Sequence, residues 1–69
     1  MSDLDERLLA AHEADDRGAL IALYIEAADT ATSETAAGFY LTHAYVFALE
    51  LNDGRQDALR TRLKAMGRV

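Results

Sequence analysis

No proline interrupts the 69 residues of this chain, and fourteen of them are alanine. Proline costs about 3 kcal/mol in a helix interior, whereas alanine has the best helix propensity. Helix is therefore open to nearly every segment, and only caps and glycines divide the chain. Ser2, three residues before Asp5, has the form of a capping box for a first helix over about residues 3 to 14, with Leu4, Leu8 and Ala11 on one stripe. Asp15-Asp16-Arg17-Gly18 stops it, combining a flexible glycine with Asp16 as the N-cap of the next helix.

The second helix, about 18 to 30, has nine apolar residues among the ten from Ala19 to Ala28. They spread over roughly 200° of arc at 100° per residue, so this helix is expected to be central and its segment the most buried. Ser33 is the expected cap of a third helix over about 34 to 51, which Asn52-Asp53-Gly54 ends. Asp53, three residues before Gln56, is the expected cap of a fourth helix reaching about Met66, with Leu59, Leu63 and Met66 as its apolar stripe. The flanks of Asp53-Gly54 keep the helical period, which argues against a β-hairpin there. The fold class is therefore all-α: one domain, residues 1–69, of four short antiparallel helices forming two stacked helical hairpins.

Several functions are disfavoured by composition. There is no cysteine, so no disulfide and no thiol nucleophile. His12-Glu13-Ala14-Asp15-Asp16 lacks the second histidine, four residues on, of a zinc-protease helix, since Asp16 stands there. The expected role of His12 is that of a surface histidine within reach of Asp15 and Asp16. Ser2 and Ser33 sit at helix starts with no identifiable base, and the four glycines are isolated, so no nucleophile elbow or phosphate loop is present. The expectation is a protein with no enzymatic activity, no metal and no cofactor.

No run approaches the roughly 18 apolar residues of a membrane span, and the first six residues are acidic where a secretory leader is basic. A cytoplasmic protein that does not engage membranes is expected. The formal charge of −5 disfavours nucleic acid. Charge is also polarised: residues 1–34 carry nine acids and two bases, residues 35–69 three acids and five bases. Arg60, Lys64 and Arg68 recur every four residues as a basic stripe interrupted by Asp57, either a solvated face complementing the helix dipole or a surface for phosphate or an acidic partner.

The third helix has two apolar sides. Ala37, Leu41, Ala44, Tyr45, Ala48 and Leu51 form one, rich in small residues and suited to close packing. Phe39, Val46 and Phe47 lie opposite with Ala36, interrupted by His43 and Glu50. This second side is either an interface, with another subunit or a ligand, or internal core beneath the first or fourth helix; in so short a chain few side chains remain to cover it.

The spacing Gly18-Ala19-Leu20, Leu23-Tyr24, Ala27-Ala28, then Ala36-Ala37-Gly38-Phe39-Tyr40-Leu41 and Ala44-Tyr45 resembles the tetratricopeptide superfamily, including its Sel-like branch, over about residues 8 to 66. The resemblance implies protein or peptide binding without catalysis, with Ala27 beside Tyr24 and Ala44 beside Tyr45 where helices approach closely. It also implies that Phe39, His43, Val46 and Phe47 line the recognition face. With only two hairpins, the chain is expected either to close on itself or to borrow surface from a partner, a homo-oligomer being the simplest case.

Overall fold

A computed structural model describes residues 3–68. It contains four helices, α1 (Asp3–Glu13), α2 (Arg17–Thr30), α3 (Glu34–Leu51) and α4 (Gln56–Ala65), and no strand among the described residues. The fold is all-α, as expected. The capping box at Ser2 lies outside the described residues.

Two of the expected caps form. Asp16 Oδ1 accepts the Ala19 N–H at 3.2 Å, and Ser33 Oγ accepts the Ala36 N–H at 3.1 Å. Each satisfies a donor that the first turn of a helix leaves without a backbone partner. Asp53 does something else. Its Oδ1 accepts the N–H of Arg55, the residue that precedes α4, so it shapes the turn and the helix begins without a side-chain cap.

The turns also depart from the expected use of glycine. Gly18 lies in the first turn of α2, and the left-handed positions fall on Asp15 and Asn52, both at φ 52°. Aspartate and asparagine tolerate this region better than other side-chain-bearing residues. The bonding is the same at both: Asp16 N–H to Ala11 O with Asp15 N–H to His12 O, and Asp53 N–H to Ala48 O with Asn52 N–H to Leu49 O. These are Schellman motifs, and a third closes α4, with Gly67 at φ 74°. The two hairpins are thus built on one local device, used at Asp15 and again at Asn52.

Consecutive helices pack together: α1 on α2, α2 on α3, α3 on α4. Long side chains show the directions. Arg7 at the start of α1 reaches Glu26 near the end of α2, and Arg17 at the start of α2 reaches Glu50 near the end of α3 (3.5 Å), so both pairs run antiparallel. Arg62 of α4 binds Asp29 of α2 at 2.8 Å, and Arg55 Nη2 donates to Gly18 O at 3.4 Å. These two contacts tie α2 to α4. The Cα trace spans 30 × 29 × 12 Å.

Ile21, Ala28, Leu41, Ala44, Ala48, Leu59 and Leu63 form the core, with Ile21, Ala44 and Ala48 wholly inaccessible. The alanines of α3 let α2 approach closely, which is why the small-residue side of α3 faces inward. Burial within 19–28 is carried by Leu20, Ile21, Ala27 and Ala28, whereas Leu23, Tyr24 and Ile25 are only half-buried. Leu51, expected on the packed side of α3, is exposed, because it lies in the last turn beyond the reach of neighbouring helices.

Candidate functional site

The second side of α3 divides. Phe39 and Val46, seven residues apart and so within about 20° of each other around the axis, are 57% and 48% exposed. Phe47, about 80° from Phe39, turns inward against the core. Its ring stacks on Tyr24 of α2 at 6.1 Å and meets the edge of His12 of α1 at 6.4 Å. This side is therefore not uniform: Phe47 is partly buried against the core, while Phe39 and Val46 stand exposed.

His43 lies on the boundary. Its ring is 4.4 Å from that of Phe39 and stacks on Tyr24 at 5.2 Å. Its Nδ1 is 3.0 Å from the carbonyl oxygen of Phe39, and since a carbonyl can only accept, Nδ1 carries the proton. The stack and the hydrogen bond fix the His43 ring, against which the Phe39 ring lies on the outer face. Beneath it, burial raises the Tyr24 hydroxyl above the usual tyrosine pKa, with nearby Tyr40 adding to the shift.

His12 is placed differently from expectation. Asp15 pairs with Arg17 and Asp16 caps α2, so neither carboxylate serves the histidine. His12 Nε2 instead lies 2.9 Å from the Tyr24 hydroxyl, with its ring edge-on to Tyr24 at 5.9 Å. Twelve residues separate the two, so no local spacing announces the pair. Among the described residues no three histidine, cysteine, aspartate or glutamate side chains gather as a metal site. Among the described residues no helix is long and apolar enough to cross a membrane.

One residue of the exposed stripe escaped the sequence reading. Leu49, three positions after Val46, is 48% exposed and extends the Phe39–Val46 line toward the end of α3; the i, i+3 spacing was the available signal. The basic stripe of α4, by contrast, shortens. The Arg68 side chain lies over Gly38, where a Cβ would collide with its guanidinium. Arg60 and Lys64 remain, exposed and without an ion pair among the described residues.

Neither a protein-family model, a curated protein nor a solved structure matches this chain.

Proposed function

We propose that this chain is a non-enzymatic, cytoplasmic helical module for protein interaction or self-association, similar in design to tetratricopeptide-like repeats. Its recognition surface is the outer face of α3, where Phe39 and Val46 make the contact, the His43 ring lies against Phe39, and Phe47 supports the face from behind. The observation that carries this reading is the exposure of Phe39 and Val46 on the longest helix, opposite its buried Leu41-Ala44-Ala48 side. The repeated turn at Asp15 and Asn52 supports the hairpin-repeat design.

Covering the exposed half of each side chain contributes about 1 kcal/mol at about 25 cal/mol per Å². A two-fold contact buries the patch twice. Set against several kcal/mol of lost translational and rotational freedom, this makes a weak, reversible association. The test is the double variant Phe39→Ser/Val46→Ser, followed by circular dichroism and sedimentation. Retained helicity with a monomeric mass is the expected result. Loss of helicity with no oligomer in the parent chain would overturn the reading.

A second reading is favoured by the unpaired Arg60 and Lys64: a regulator that meets nucleic acid or an acidic partner through α4. Salt separates the two, since phosphate contacts weaken steeply with ionic strength and apolar ones do not.

A further inference from the structure

Between them, α1 and α2 leave an open groove of about 490 Å³. Its wall is almost wholly apolar and made of small residues, chiefly Ala10, Ala14, Ala19, Ala22 and Leu23. Ala10, Ala14 and Ala22 are exposed although each lies on a helix with apolar neighbours. The groove is flanked by acid. From Asp3 to Asp16 there are six carboxylates and one base, and that base, Arg7, is already held by Asp3 at 2.9 Å and by Glu26. Glu6 and Glu13, on the outer side of α1, have no ion pair among the described residues.

The outer face of α4 has the complementary chemistry. α4 buries Leu59 and Leu63 inward and turns Ala58, Thr61 and Ala65 to solvent, at the i, i+3, i+7 spacing of a single helical face. Arg60 and Lys64 stand beside that face with no ion-pair partner among the described residues. A helix with a small-residue face can enter a groove lined with alanines closely, and its two bases then lie near the acids of α1.

We infer that α4 of one copy docks in the α1–α2 groove of a second copy, joining molecules head to tail. The two surfaces are different, so the contact is heterologous and leaves a free groove and a free α4 at the ends of every assembly. This contact is separate from the outer face of α3. It also gives the basic face of α4 an acidic partner, the N-terminal half of another copy of the same chain.

Sedimentation of the full chain tests the inference with two variants, Ala14→Arg/Ala22→Arg to fill the groove and Arg60→Glu/Lys64→Glu to reverse the charge of α4. Both are made in the wild-type chain and in the Phe39→Ser/Val46→Ser background, and circular dichroism checks that each stays helical. Should the groove variant lose helicity, Glu6→Gln/Glu13→Gln replaces it, removing the acids without creating a partner for the reversed α4. In the Phe39→Ser/Val46→Ser background, the chain with groove and α4 intact is expected to form species larger than a dimer. Its association should weaken by at least about tenfold between about 50 and about 500 mM salt. Each variant alone should be monomeric. An equimolar mixture of the two should form a dimer and stop there, because it holds one working groove and one working α4. A mixture that stays monomeric, or association unchanged by both variants, would overturn the inference. If association in the wild-type chain is lost only on changing Phe39 and Val46, the groove contact fails and the α3 face stands.

Discussion

His12 on α1 and Tyr24 on α2 meet through Nε2 and the hydroxyl at 2.9 Å, and the same tyrosine ring stacks on His43 and Phe47 of α3. One side chain of the central helix thus touches both flanking helices, and this contact joins α1 to α2 alongside the Arg7–Glu26 pair. A net hydrogen bond contributes about 0.5 to 1.5 kcal/mol. Tyr24→Phe and His12→Ala should each cost about 1 kcal/mol in urea unfolding, and the double variant should cost clearly less than the sum. Simple additivity would show that the pair does not act as one contact.

Core deletions should rank by burial. Ile21 and Leu41 are at most 1% exposed, so Ile21→Ala or Leu41→Ala should cost about 2 to 5 kcal/mol. That is much of the roughly 3 to 10 kcal/mol that a chain of this size holds. Leu23 lies at the groove and is half-buried, so Leu23→Ala should cost less than either. Thermal melts of the three variants check the order.

Phe39 and Phe47 are eight residues apart on one helix and should behave oppositely. Phe47→Ala removes a ring packed on Tyr24 and His12 and should lower stability by about 2 to 3 kcal/mol at any protein concentration. Phe39→Ala should leave the melt of the monomer within about 0.5 kcal/mol of the parent and reduce association instead. Equal loss of stability in both variants would show that Phe39 is structural.

Stability should fall in acid through Asp53. Hydrogen bonds from the Arg55 side chain, then its backbone N–H, lower the Asp53 carboxyl to about 2. An ordinary aspartate titrates near about 4. A depressed native pKa stabilises the fold fully above the unfolded value and ceases to do so as pH falls through the folded one. The contribution is therefore present above about pH 4 and lost by about pH 2. Glu26, lowered chiefly by its hydrogen bond from Arg7, acts in the same direction. Asp53→Asn should flatten the dependence of unfolding free energy on pH over that window, while an unchanged slope would mean that Asp53 is not held by Arg55.

Much of the fold was legible because its determinants are local. Asp16 and Ser33 are capping side chains within three residues of the donors they satisfy, and α2 and α3 begin within a residue of the expected positions. The repeated alanines on one side of α3 identified its packed face for the same reason: helical period fixes which side chains share a direction. Where two residues competed for one local role, the reading was less secure. Asp15, not Gly18, took the left-handed turn, and Asp53 bonded to Arg55 rather than capping α4.

Period says which way a side chain points and nothing about what stands there. Phe39, His43, Val46 and Phe47 share one side of α3, yet the presence of Tyr24 and His12 on that flank partly buried Phe47 and left Phe39 and Val46 exposed. Leu51 had the right direction for burial and lay past the end of the neighbouring helices. His12 had carboxylates within a turn of helix and found a tyrosine twelve residues away, because the antiparallel packing of α1 on α2 brought that hydroxyl to it. The sequence alone determined the helices, the caps of α2 and α3, and the inward Leu41-Ala44-Ala48 face of α3. Their tertiary packing decided which apolar side chains stay exposed, since four short helices supply too few neighbours to cover both sides of α3.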